Sequence, residues 1–248
     1  MYIHPTKDNQ STAEAVLRSM RSNKTFTDEE AKLLDLCLIV HAEHGGGNNS
    51  TFATRVLTSS GTDTYAAYAA GIGALKGPKH GGANIKVSEM IRCIENGVSD
   101  ITNEGQIADF IERIILKQEG DRSGLVYGMG HAVYTLSDPR AVVLKEEARR
   151  FAEKTGYEEK FRLIETVERL TPEIFLKVKG NKKPMCANVD MYSGLIYEML
   201  QIPEDIYTPL FTTARIAGWS AHRLEELMTG GRIIRPAYKL SLIHISEP

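Results

Sequence analysis

Four of the seven histidines stand beside glycine or at the end of an apolar segment: His41 and His44 in HAEHGGGNN, His80 in GPKHGGAN and His131 in GMGHAVY. One such histidine is ordinarily a structural hydrogen-bonder, since the residue is intermediate in burial. Four in similar loops point towards acid–base or electrophilic chemistry. A metal-dependent hydrolase built on His41, Glu43 and His44 is one reading. The HAEH spacing, however, does not match HEXXH, which sets its histidines four apart with the glutamate second. His80 precedes Gly81-Gly82-Ala83-Asn84, which opens a helical pattern. It should therefore stand just before a helix N-terminus, where the macrodipole disfavours imidazolium. A neutral imidazole there can donate a hydrogen bond without carrying charge, or simply cap the helix.

Asp190 follows the turn NKKPMCANV and begins another helical pattern. It is either an N-terminal cap or a carboxylate general base on a loop between helices. Arg140 in SDPR and Arg215 in TTARIAGW lie among small or apolar neighbours. Buried arginines grip carboxylate or phosphate through bidentate geometry, or pair with a structural acid; spacing leaves both readings open. Gly71-Ile72-Gly73 fails GxGxxG, and Gly128-Met129-Gly130 precedes no βαβ pattern, so a dinucleotide fold is not expected.

The elements that must position these residues are helices. Ser11 to Glu14 and Thr27 to Glu30 form capping boxes. The second leads into a segment apolar on nearly every side, expected to be a buried helix. Further helical patterns cover 49–59, 64–75, 83–96, 104–117, 138–155, 157–170, 189–200 and 203–228. No alternating run bounded by turn residues suggests a strand, so the expected fold class is all-α. Thirty basic against 32 acidic side chains give a net charge of −2. That balance argues against nucleic-acid or anionic-membrane partners. No apolar run reaches the roughly 18–20 residues that span a bilayer. The opening residues lack a signal-peptide core, and the three cysteines have no metal-ligand spacing. A cytoplasmic location is the expectation. Residues 240–248 break the pattern and read as a foreign, non-native tail.

HAEHGGGNNST, GALKGPKHGGANIK, GMGHAVYTLSDPR, ANVDMYSG, TPLFTTARIAGWSAHRLEE and IIRPAYK occur in one order. Together they resemble the bacterial-type citrate synthase family. The resemblance runs from about Tyr2 to Lys239. It implies the later part of a large helical domain (1–81 and 202–239) around a smaller helical domain (82–201), with the N-terminal part of the large domain outside this chain. It implies hinges near 77–82 and 200–203, closing on the first substrate.

The resemblance further implies a metal-free condensation of acetyl-coenzyme A with oxaloacetate to citrate, and no tightly bound cofactor. Its catalytic residues would be His80, His131 and Asp190. Oxaloacetate would be held by His44, Arg140 and Arg215. Arg235 would reach the neighbouring subunit's site, hence a homodimer. Coenzyme A would be met by Val126, Gly128, Met129, Gly130 and Lys183, while His41 is structural. 2-Methylcitrate synthesis from propionyl-coenzyme A is the alternative within the class, since one methylene discriminates by only about 1–3 kcal/mol. A catalytically incomplete helical fragment is the alternative outside it.

Overall fold

The computed structural model describes residues 7–131, 134–180 and 185–235 of the 248. Lys183 and the tail at 240–248 lie outside them. Ten α-helices follow one another among the described residues: α1 (Thr12–Met20), α2 (Asp28–Ala42), α3 (Asn49–Ser59), α4 (Thr64–Leu75), α5 (Ala83–Gly97), α6 (Glu104–Ile115), α7 (Pro139–Thr155), α8 (Glu158–Lys179), α9 (Asp190–Met199) and α10 (Tyr207–Thr229). A 3₁₀ turn, Glu204–Ile206, leads into α10. There is no strand among the described residues; one isolated antiparallel bridge joins Met129 and Ala187.

Local chemistry accounts for most boundaries. Both capping boxes form, Ser11 with Glu14 and Thr27 with Glu30. Asp138 caps α7 ahead of Pro139, where the missing N–H costs nothing. Gly156, Gly180 and Gly230 end their helices in the left-handed conformation. α8 outruns the expected 157–170 by continuing through Pro172. Thr171 and Ile174 lie on its buried face with Phe161, Ile164 and Val167, packed against α6, so burial outweighs the lost backbone bond. α2 buries Leu33, Leu34, Cys37, Leu38 and His41 as expected, yet Ile39 stays 63% exposed because nothing described covers that face.

The main core gathers α1, α2, α5–α9 and the start of α10. α9 is buried from Met191 to Tyr197 and touches α2, α5, α7 and α8. A smaller cluster of Leu75, Phe211 and Trp219, with Tyr68 against it, lies between α4 and α10. Here α4 approaches closely: a Cβ on Gly71 would stand 2.5 Å from Thr54 Oγ1 and 3.2 Å from Trp219.

Candidate functional site

Two loop segments deliver His131 and Asp190. Gly128 and Gly130 adopt positive φ, which folds the 126–130 loop back. The Met129 N–H donates to the Val126 carbonyl at 3.2 Å. The segment then pairs with 186–188: Gly130 N–H donates to the Cys186 carbonyl, and Asn188 N–H to the Gly128 carbonyl, both at 2.8 Å. Asn188 completes the joint. Its Nδ2 donates to the Gly130 carbonyl at 3.1 Å, and its Oδ1 accepts the Asp190 N–H at 3.0 Å. Asp190 is the first residue of α9, and its side chain caps nothing. The capping reading fails. Burial pushes its carboxyl up to about 6, against the lowering charges of Arg140 and Arg215.

His131 stands over Arg140. Its Nδ1 accepts the Tyr134 N–H at 3.0 Å, and its Nε2 lies 3.3 Å from Arg140 Nη2. Burial and the guanidinium hold the ring below the usual histidine pKa, while Asp138 works the other way. A neutral ring that accepts at Nδ1 carries its proton on Nε2. Asp138 Oδ2 stands beside both, 2.7 Å from Arg140 Nη2 and 3.9 Å from His131 Nε2. The His44 ring sits 4.9 Å from His131, edge to face. Burial, then the charges of Arg140, His131 and Arg215, push its pKa down to about 4. Glu43 fixes that loop: its Oε1 accepts the N–H groups of His44 and Gly45, and its Oε2 meets His222 Nε2 at 3.1 Å.

The two arginines differ. Arg140 pairs with Asp138, a 1% exposed carboxylate, through Nε at 3.0 Å and Nη2 at 2.7 Å. Arg215 is more deeply buried, at 1% exposure, yet no carboxylate pairs with it among the described residues. Its Nε donates to the His41 carbonyl at 2.6 Å, its Nη1 to Asn48 Oδ1 at 3.1 Å, and Phe211 lies under its plane. Burial and Arg140 pull its pKa down to about 10. The charges of Glu43 and Asp190 work the other way, but neither is bonded to it, and a buried guanidinium with free N–H groups suits an anionic ligand. His80 joins this side: its Nε2 lies 3.0 Å from Ser50 Oγ. Its pKa falls to about 4 as expected in direction, but the causes are burial and Arg215. His80 and Asn48 line a cavity of ≈ 640 Å³ with Pro78 and Lys79.

Contacts and shared fields thus bring together His44, His80, His131, Arg140, Asp190 and Arg215. Val126 is buried, and Met129 lines a separate ≈ 880 Å³ cavity with Lys145, Arg162 and Cys186. Arg235 is exposed and makes no hydrogen bond or ion pair among the described residues. The HAEH metal reading is overturned by orientation: His41 turns Nδ1 to the Cys37 carbonyl at 2.7 Å, and Glu43 faces His222. No three metal-ligating side chains converge among the described residues. Sequence reasoning missed Asp138, Asn48, Ser50 and Asn188. Only Asp138 had a local signal, as a helix cap before proline.

Comparison with known proteins follows the same residues. Residues 1–237 match the family described as citrate synthase, C-terminal domain. The chain is 38% identical over 223 residues to a citrate synthase of Synechocystis sp., covering 88% of this chain and 51% of that one. It is 34% identical to a 2-methylcitrate synthase of Shewanella oneidensis, over 83% of this chain and 49% of that protein. The chain spans about half the length of these curated relatives. A citrate synthase from Thermoplasma acidophilum, solved with carboxymethyl coenzyme A and oxaloacetate, superposes with a TM-score of 0.76 and 28% identity, covering 98% of this chain and 60% of that one.

Proposed function

The chain belongs to the citrate synthase family, and we propose that its cleft condenses acetyl-coenzyme A with oxaloacetate and water to give citrate and coenzyme A. The observation that carries this reading is the convergence of His131 and Arg140, whose Nε2 and Nη2 lie 3.3 Å apart, with Arg215, buried and hydrogen-bonded to no carboxylate among the described residues. A dicarboxylate with a ketone oxygen suits two guanidinium groups and a neighbouring imidazole. Arg140, Arg215 and His44 hold the dicarboxylate, and His131 polarises its ketone. Asp190 removes a methyl proton from the thioester while His80 donates to the oxygen that gains enolate character. The enol carbon attacks the ketone, His131 protonates the new alkoxide, and water cleaves the citryl thioester. A thioester α-carbon is too weak an acid for a carboxylate alone, so the oxyanion donors carry much of the barrier. Each such donor contributes about 2.7–4 kcal/mol.

Coenzyme A is met by Val126, Gly128, Met129, Gly130 and Lys183. The protein works in the cytoplasm as a homodimer, with Arg235 reaching the neighbouring site. The divisions 1–81 with 202–239, and 82–201, close on oxaloacetate about 77–82 and 200–203 and shield the enol from water. 2-Methylcitrate synthesis stays as the second reading because relatives of both kinds match this chain at similar identity. Thiol release from acetyl- and propionyl-coenzyme A, with and without oxaloacetate, tests both. Oxaloacetate-dependent release that falls about 10²–10⁴-fold in Asp190→Ala is the expected result; undiminished release in that variant would remove Asp190 from the mechanism.

A further inference from the structure

The site draws on two stretches of chain. His44, His80 and Arg215 come from outside residues 82–201, whereas His131, Arg140 and Asp190 lie within them. Asp190 opens α9, which packs against α5, α7 and α8 of its own stretch and against α2 from outside it. Helices of its own stretch fix α9 within that stretch; bonds from outside are what fix it against His80. Lys154 with Glu29 and Arg92 with Glu204 cross between the two as exposed ion pairs, and such pairs hold geometry weakly. Tyr207 Oη donates to the Gly194 carbonyl, but at 3.4 Å. Arg21 differs from all of these. Its side chain is 17% exposed. Nη1 donates to the Thr25 carbonyl and to Glu30 Oε2, both at 3.0 Å. Nη2 donates to Glu30 Oε1 at 2.6 Å and to the Leu200 carbonyl at 3.0 Å. Glu30 is itself held, because Oε2 also accepts the Thr27 N–H at 2.7 Å in the box that caps α2. The fork on Glu30 fixes the guanidinium plane and so aims its remaining Nη2 proton.

We infer that Arg21 is a positioning residue: by tying the Leu200 carbonyl to the α2 cap it sets the tilt of α9 and so places Asp190, at the far end, against His80. This inference rests on the reading of Asp190 as the proton acceptor and His80 as the donor to the thioester oxygen. The bond lands where α9 ends. Leu200 is its C-cap, and Gln201 turns the chain out through a φ of +57°. A carbonyl at a helix end has no partner within the helix, and a cation there meets the negative end of the helix dipole. α9 has ten residues and is rigid over its length, so it acts as a lever. At about 15 Å, a tilt of about 4° around its C-terminal end carries Asp190 by about 1 Å. A displacement of that size costs about 10²-fold in rate. Oxaloacetate is gripped by His44, Arg140 and Arg215, none of them on α9, so its binding is left largely intact. Arg21 touches no reacting atom.

The titration of Asp190 reads its placement without turnover. Burial sets its carboxyl near 6, and Arg140, Arg215 and Asp138 are the charges that act on it. Arg21 is not among them, so a moved titration reports a displaced helix and not a lost charge. Carbon-13 NMR of labelled aspartate gives that titration, with Asp190 identified by the signal lost in Asp190→Asn. Thiol release with acetyl-coenzyme A and oxaloacetate gives kcat and KM on the same samples. In Arg21→Ala the carboxyl gains water and should titrate nearer the ordinary 3.8. Its kcat should fall about 10²-fold, with KM for oxaloacetate little changed. Arg21→Lys keeps the charge but cannot fork Glu30 and reach Leu200 together. It should act in the same direction, and it serves if Arg21→Ala does not fold. Lys154→Ala, which breaks an exposed crossing pair, should leave both readouts unchanged. An unmoved titration or an undiminished kcat in a folded Arg21 variant overturns the inference and leaves the reaction standing. An equal change in Lys154→Ala overturns it too, since any crossing contact would then serve. Absence of oxaloacetate-dependent release in the wild type overturns both.

Discussion

Helices α5–α9 surround their site segments with hydrocarbon, whereas α3, α4 and the C-terminal half of α10 set buried hydroxyls, glycine and arginine around a small apolar cluster. On the first side, His131 and Asp190 are held by backbone pairing beneath a core that includes Val87, Ile91, Leu144, Met191 and Leu195. On the second, α3 turns Ser50, Thr51, Thr54 and Thr58 inward, and Arg223 lies buried on Thr58 and the Thr62 carbonyl. Tyr65, Leu227 and Met228 meanwhile stay exposed. A hydrocarbon core fixes geometry by excluding alternatives. A hydroxyl core fixes it by a set of directional bonds, which can be exchanged for others at small cost. The side that holds Arg215 and His80 is therefore the one built to rearrange.

Trp219→Ala breaks this comparison most severely. It removes the largest member of the small cluster and one of the donors on Ser50. A cost of about 3–5 kcal/mol is expected, with urea unfolding of α3 and α4 preceding that of α9 in hydrogen exchange. Simultaneous loss of all three helices would show the two sides to be one cooperative unit. Asp138→Asn probes the other side, because it leaves Arg140 without its charge partner. Loss of that charge-assisted bonding should cost about 1.5–3 kcal/mol in denaturant midpoints. Gly71→Ala drives a methyl into Thr54 and Trp219 and should cost about 1–3 kcal/mol. Gly73→Ala, two residues along the same helix with open space, should instead gain about 0.5–1 kcal/mol. Equal effects at the two positions would deny the close approach of α4.

A pH signature is expected where the two sides meet. The Asp190 carboxyl is raised from 3.8 to about 6 in the folded chain. Its contribution to stability is thus full below the unfolded pKa and lost as pH rises through about 6. Melting temperatures of wild type and Asp190→Asn should diverge over that interval, with the wild type losing more as pH increases. Oxaloacetate-dependent activity should run the other way, falling as pH drops through the same region, because only the carboxylate accepts a proton.

Much of the fold was legible because helix signals are local. The patterns over 49–59 and 64–75 coincide with α3 and α4, and both capping boxes formed as their spacing requires. The end of α8 was not, since a buried apolar face overruled Pro172 only through packing on α6. The site histidines, arginines and Asp190 stood out through six motifs in one order, not through spacing alone. Asn48, Ser50 and Asn188 did not stand out. Their roles lie in hydrogen bonds to residues far along the chain, such as Arg215, His80 and Gly130, which leave no local pattern. Arg140 and Arg215 looked alike in sequence; only burial beside Asp138 separates the paired one from the open one.

The Asn188 side chain closes a loop of 58 residues onto Gly130. Ordering so long a loop costs chain entropy before any contact across its mouth is gained. The pairing of the 126–130 and 186–188 segments is therefore a contact of high sequence separation, of the kind that slows folding. α7 and α8 lie inside that loop. The bonds that align the two segments thus also fasten the ends of the stretch that carries both helices.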